Sequence, residues 1–316
     1  MMRKAILRRT AAGIATLFLV SILVFIGTSV LPGDVAQILL GQMATPETLA
    51  ALRAKLGLDQ PAHIRYFQWL GDLLSGDLGI SKAGGSTISS IIQGRLSNTV
   101  WLAALVALIA IPVSLTLGLL TAMYPGTRLD RTVTFCTLSL ISVPEFLVAT
   151  CLVLILAVHL RWLPSIAYMS GNETGWQLIK AMAMPILTLV IVVSAQIIRM
   201  TRATVLNVMS SPYIEMAILK GVPRRRIILR HALRNAMGPI VNVIALNMAW
   251  LISGIVIVET IFAYPGLAKL MIDAVQIRDL PLVQAIAMIF CTSYVVLIFV
   301  ADMASILSNP RIRHPK

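Results

Sequence analysis

"SSPYIEMAILKGVPRRRIILRHALRNA", residues 210 to 236, carries six cations (Lys220, Arg224, Arg225, Arg226, Arg230 and Arg234), yet apolar runs flank it on both sides. Where that charge lies decides how the rest of the chain is arranged. Hydrophobic residues make up 58% of the 316, charged ones only 12%, and the mean hydropathy is +0.88. An ordinary soluble domain has roughly 25% charged residues. The composition therefore reads as a membrane protein, whose unit of organisation is the span of about 20 apolar residues.

Six apolar segments qualify: 11–31, 99–123, 133–160, 181–199, 236–262 and 284–307. Each is expected to cross as a helix, the one open-ended element that satisfies all its own backbone polar groups in lipid. The third and fifth are long enough for a tilt, a break or a helical extension. Pro112, Pro144 and Pro185 lie in or beside spans, where a bundle tolerates kinks. The expected fold is thus all-α and polytopic. The basic start "MMRKAILRR" precedes an apolar run longer than the 7 to 15 residues of a cleavable leader, so a retained first span is expected.

Six spans place both termini on one side, and that side holds 17 of the 26 basic residues with two acids, Asp130 and Glu215. The opposite side carries nine basic residues balanced by nine acidic ones. Positively charged loops stay in the cytoplasm, which predicts cytoplasmic N and C termini and a cytoplasmic 210–236 stretch. The net charge of +13 is then a topology signal and gives no reason to invoke nucleic acid.

The outward side starts with a long loop, giving a first region of 1–98 (one span and this loop) and a core of 99–316 with five spans. Within the loop "LPGD" (31–34) reads as a turn, and "TPETLAALRAKLGL" (45–58) as a helix with Thr45 as N-cap, Pro46 at its first position and Gly57 as its stop. The last outward segment, 258–283, is too apolar for a free loop and too interrupted for a span. Short helices at the outer membrane surface are expected there.

Within the basic stretch, Ser211 before Pro212 predicts a helix start with a capping hydroxyl, and Gly221 with Pro223 predicts its end. Glu215 sits near the positive end of the helix dipole and Lys220 near the negative end. Ile214, Ala217 and Ile218 fall on one face at i, i+3, i+4 spacing, with Tyr213 and Met216 nearby. That face needs a cover, either from neighbouring helices or from a groove on another protein. The arginines suit anionic lipid headgroups or acidic side chains of a partner equally well.

"YIEMAILKG" followed by "RHALRNA" resembles the cytoplasmic EAA loop of ABC-transporter permeases, in the branch of dipeptide and oligopeptide permeases that includes nickel and glutathione importers, first-permease type. Pieces along the whole chain carry the same resemblance: "LPGD", "LGLDQP" at 56–61, "GDLG" at 76–79, "SVPEF" at 142–146, "VETIFAYPGL" at 258–267, "RDLPLVQ" at 278–284 and a "NPRIR" tail. Met216 departs from the pattern, which has a small residue after the glutamate. Arg234 stands where the broader pattern has a proline.

The resemblance implies a type I ABC importer permease, a multi-pass protein of the bacterial inner membrane. It would work by alternating access, with a second homologous permease (a heterodimer), two ATPase subunits and a periplasmic solute-binding protein as partners. It makes 212–220 a coupling helix, with Tyr213, Ile214, Glu215, Ala217, Lys220, Gly221, Arg224 and Arg225 in the ATPase contact. It also implies an outer gate or binding-protein dock shaped by Glu259, Pro265 and Gly266, with Asp34 in the outward turn. The cargo stays open among peptide, nickel chelate, glutathione and sugar-phosphate conjugate. A secondary transporter or a membrane scaffold without an ATPase is the alternative of another class.

None of the seven lysines follows a glycine, so a phosphate-binding G-x-x-x-x-G-K-[ST] loop cannot occur. ATP and Mg are therefore expected on the partner ATPases, with no cofactor on this chain and no catalytic residue. Neither H-x-x-x-H metal spacing nor a G-x-S-x-G nucleophile elbow is present. Cys136, Cys151 and Cys291 lack C-x-x-C spacing and are expected as small core hydrophobes. Glu145 is an ionisable group inside a span, a position that usually faces a cavity or a partner. With Gln196, Asn247 and Glu259 it forms the candidate set for a translocation path or gate; the other reading is hydrogen bonding within the bundle, between helices for Gln196 and Asn247, or for Glu145 a place near the outer interface.

Overall fold

The computed structural model describes residues 2–30, 40, 44–55, 59–167 and 175–308. Asp34 with its "LPGD" turn, Gly57 and the "NPRIR" tail lie outside these residues. The helices are α1 (Met2–Val30), α2 (Pro46–Lys55), α3 (Ala62–Ser75), α4 (Ile88–Met123), α5 (Arg128–Ser142) and α6 (Glu145–Leu152, continued by a π-helical run Val153–His159). They continue with α7 (Gly175–Met209), α8 (Pro212–Leu219), α9 (Arg224–Ile261), α10 (Leu267–Gln276) and α11 (Leu280–Ser308). Among the described residues, five are long and apolar enough to cross a membrane, or six if α5 and α6 together count as one broken span.

That broken span is where the expected crossing at 133–160 takes a different form. The axis turns by 108° between α5 and α6. Proline has no N–H to donate and disfavours helical geometry in the residue before it. Val143 accordingly sits at φ −97°, ψ 129° and Pro144 at φ −57°, ψ 142°. Two extended residues in succession end one helix, and the Pro144 carbonyl starts the next by accepting from the Leu147 N–H at 3.0 Å. Pro112, Pro185 and Pro239 stay inside continuous helices.

The chain forms two compact units. The first comprises Thr99–Pro265, the first turns of α1 and the second half of α11. Its core joins Leu102, Val106 and Ala110 of α4 to Leu189, Val193 and Ile197 of α7 and to Leu251, Ile255 and Val258 of α9. Side chains are fully sheltered here because helices approach closely. A Cβ added at Gly118 would stand 2.8 Å from Thr201 Cβ and 3.1 Å from the Ile198 carbonyl oxygen. Gly118→Leu is therefore expected to cost about 1–3 kcal/mol through overpacking, read as a lower unfolding temperature in detergent. Thr201→Gly should restore only part of the loss, because the Ile198 carbonyl remains in the way.

Within this unit Arg9 of α1 pairs with Asp302 of α11 at 2.7 Å. Cys136 and Cys151 do not enter its core as expected. Both are exposed, lying on outward faces of α5 and α6, and Cys291 of α11 is half-buried.

The second unit, Ala11–Asn98 with Gly266–Ser293, contains the helix expected at 45–58, where the Thr45 hydroxyl caps the Thr48 N–H at 3.3 Å. It also contains α3, which hydropathy alone does not reveal. Tyr66 of α3 stacks edge-on against Phe25 with centroids 5.4 Å apart, and its hydroxyl meets Ser21 Oγ at 2.8 Å. The apolar segment after Gly266 forms α10, whose Leu267 and Ala274 pack with Ile88, Ile92 and Ile286. Beside it, buried Asp279 accepts from the Ser81 hydroxyl and, at 3.2 Å, from the Lys82 N–H. Burial pushes the Lys82 ammonium below the ordinary lysine range, and the neighbouring Asp279 opposes that shift.

Candidate functional site

The first site is α8. Pro212 needs no donor at the helix start, and Ser211 stands before it in extended backbone. The Ser211 hydroxyl does not cap, contrary to expectation. It donates backwards to the Val208 carbonyl at 2.6 Å, tying the end of α7 to the start of α8. At the other end Gly221 adopts φ +74°, which only glycine reaches without strain, and its N–H and that of Val222 close onto Ile218 and Ala217.

Ile214 faces inward. It is 0% exposed, packed with Ile227 and Ala232 and flanked by Val208, Met209, Ala217 and Val222. Its expected place in a partner's groove is thereby corrected: the i, i+3 stripe of Ile214 and Ala217 is covered by the chain itself. The Tyr213 hydroxyl accepts from Asn235 Nδ2 at 2.7 Å, a second tie to α9. What points away is a different apolar set, Met216 (56% exposed), Ile218 (54%) and Leu219 (75%). Glu215, Lys220, Gly221, Arg224 and Arg225 are exposed around it.

The second site is an open cavity of about 730 Å³ bordered by the α5–α6 bend, α7, α9 and Tyr294 of α11. It brings together Glu145, Gln196 and Asn247, three of the four residues expected along a path. Glu145 is the first residue of α6, so the break at Val143–Pro144 is what aims it here. Its carboxylate lies against the α9 backbone, where a Cβ at Gly254 would come within 3.0 Å of Glu145 Cδ. Asn247 donates to the Val243 carbonyl at 2.8 Å, which leaves its Oδ1 as an acceptor.

Glu259 is not at this cavity. It is fully buried near the far end of α9, accepting from the Thr99 hydroxyl of α4 at 2.6 Å. Its backbone carbonyl accepts from the Tyr264 N–H at 2.9 Å, and burial raises the Tyr264 phenol above the ordinary tyrosine range, with the Glu259 charge adding to it. Pro265 directly follows, and Gly266 begins α10 in extended backbone at φ −101°, ψ −176°.

One pair escaped the sequence reading. Arg202 of α7 grips Asp130 of α5 with two parallel bonds, Nε to Oδ1 at 2.6 Å and Nη2 to Oδ2 at 2.9 Å. The Gly126 N–H (2.9 Å) and the Thr134 hydroxyl (3.3 Å) also donate to Asp130. The signal available was that Asp130 is one of two acids in a strongly basic region.

Comparison with known proteins bears on this arrangement. A family model described as the inner membrane component of binding-protein-dependent transport systems matches residues 114–314, and the model of its N-terminal part matches 1–103. The chain is 33% identical to the probable peptide ABC transporter permease protein y4tP of Sinorhizobium fredii over 98% of this chain and 99% of that protein. It is also 33% identical to the glutathione transport system permease protein GsiC of Escherichia coli, over 98% of each. The same identity and coverage hold for the protein of that name in Shigella dysenteriae. With bundled apolar helices, a short anchored helix on the basic side and matches along its whole length, the chain belongs to the family of inner membrane components of binding-protein-dependent transport systems and is a permease subunit of an ABC importer.

Proposed function

We propose that the chain forms half of the membrane path for peptides or closely related small solutes and is driven through α8 by separate ATPases. The observation that carries this reading is the construction of α8. A helix of eight residues is marginal alone in water. Here Ile214 and the Tyr213–Asn235 bond hold it in place while Met216, Ile218 and Leu219 stay uncovered. An apolar knob ringed by Glu215, Lys220, Arg224 and Arg225 suits a partner groove with a charged rim.

ATP and Mg belong on two such ATPase partners in this scheme. A periplasmic binding protein delivers the solute, and a second homologous permease completes a heterodimer. Glu145, Gln196 and Asn247 border the path, while Glu259, Pro265 and Gly266 act as structural joints toward the outer side. The names of the peptide and glutathione relatives support a peptide-like cargo.

Replacing Met216, Ile218 and Leu219 together by serine tests the docking. Burying each such side chain contributes about 1.5–3 kcal/mol, so the variant should insert normally yet lose co-purifying ATPase and its stimulation by loaded binding protein. Unchanged stimulation overturns the proposal.

A further inference from the structure

The chain contains several sheltered carboxylates, and Glu145 differs from the others. Asp130 has an arginine, a backbone N–H and a hydroxyl as donors; Asp302 has Arg9; Glu259 has the Thr99 hydroxyl; Asp279 has Ser81 and the Lys82 N–H. These groups are satisfied by the fold. The half-buried Glu145 carboxylate has no hydrogen bond or ion pair among the described residues. An ionisable group in a membrane span is costly, so one left without a fold partner points to a ligand.

The cavity around it specifies the kind of ligand. No lysine, arginine or histidine is among its lining residues. Its polar side chains are the Glu145 carboxylate, the carboxamides of Gln196 and Asn247 (the latter with its Oδ1 uncommitted) and the hydroxyls of Ser142 and Tyr294, so acceptors are at hand and the one formal charge among them is negative. The rings of Trp250 and Tyr294 also border it, and aromatic faces attract cations. Acceptors, one negative charge and two rings complement a group that donates several hydrogen bonds and is positive. They oppose a carboxylate or phosphate.

We propose that Glu145 is a specificity-determining residue that selects solutes carrying an ammonium or guanidinium group, the N-terminal ammonium of a short peptide included. This rests on the reading that the cavity belongs to the solute path. It adds that cargo with net negative charge, such as a tripeptide with two free carboxylates, is disfavoured there. Gly254 is part of the device, because its bare backbone makes room for the carboxylate between α6 and α9.

The test uses the assembled importer in nanodiscs without binding protein, so that discrimination by the membrane path is read directly. Equilibrium binding is measured for trilysine, spermidine, N-acetylated trialanine and triglutamate. Trilysine and spermidine should bind saturably and ~10-fold or more tighter than the other two, the worth of a charge-assisted hydrogen bond. The chain's own net charge of +13 favours triglutamate, so non-specific attraction works against the expected order. Glu145→Gln, which keeps size and shape, should erase the preference, Glu145→Asp should keep its sign, and Gly254→Ala should weaken it without removing any charge.

A wild-type complex with no preference for the cations, or a Glu145→Gln complex that retains it, overturns the proposal. If Glu145→Gln does not assemble, an unchanged preference in Gly254→Ala overturns it equally. Failure of the importer to carry any peptide while spermidine binds as described removes the peptide reading and leaves this one standing.

Discussion

Ile214→Asp should abolish transport while the long helices remain inserted. The side chain is fully buried and packs on Ile227, Ala232 and their apolar neighbours. An unpaired carboxylate there carries an effective penalty of several kcal/mol. An eight-residue helix holds nothing comparable in reserve, because its own hydrogen bonds scarcely offset the cost of nucleation. The cheapest response is for α8 to leave its seat, and with it goes the fixed orientation of Met216, Ile218 and Leu219. The expected readings are loss of ATPase stimulation by loaded binding protein and faster tryptic cleavage after Arg224–Arg226 in inside-out vesicles. Ile214→Val removes one methylene, costs about 0.5–1.5 kcal/mol and should leave transport near normal. Full transport by the aspartate variant would show that the seat of α8 is immaterial to coupling.

The existence and ends of α8 were legible in the sequence because Pro212, Gly221 and Pro223 constrain the backbone locally. Which face it buries was not. The stripe of Ile214, Ala217 and Ile218 shows that something covers one side, but periodicity does not distinguish the chain's own Ile227 from a partner's groove. Hydropathy marked the spans for the same local reason, whereas the 108° turn depended on Val143 and Pro144 both adopting extended geometry. At the cavity, Glu145, Gln196 and Asn247 were found one by one as polar residues in apolar runs. Their convergence arises from the bend and from α7–α9 packing, which no spacing encodes. Glu259, which the resemblance put at the outer gate, turned out to accept from the Thr99 hydroxyl, 160 positions away. An intramembrane carboxylate is therefore ambiguous until its donors are known.

Arg202→Ala should lower stability by about 1–3 kcal/mol, the cost of depriving a sheltered carboxylate of its charged donor, and should depress transport even where the protein still assembles. Asp130 is only 4% exposed, but the Arg202 side chain is 28% exposed, so water reaches the vacated space and, with the Gly126 and Thr134 donors, offsets part of the loss. Asp130 sits near the start of α5, and Leu140 to Ser142 at its far end line the cavity, about 15 Å along the helix at 1.5 Å per residue. On α7, Arg202 lies six residues beyond Gln196. The pair thus fixes the angle between two walls of the cavity from one side, as the Pro144 bend fixes it from the other. Removing both partners, Asp130→Ala with Arg202→Ala, eliminates the stranded charge and should recover much of the stability, but not the fixed α5–α7 angle. A double-mutant cycle on unfolding temperature, run beside transport assays, separates the two effects. Exchanging the pair, Asp130→Arg with Arg202→Asp, should rescue poorly, because the Gly126 N–H and the Thr134 hydroxyl donate to position 130 and would then face a cation. Full rescue by the exchange would mean that the pair's mutual attraction alone matters. Failure of the double alanine variant to regain stability would mean that the guanidinium packs rather than neutralises.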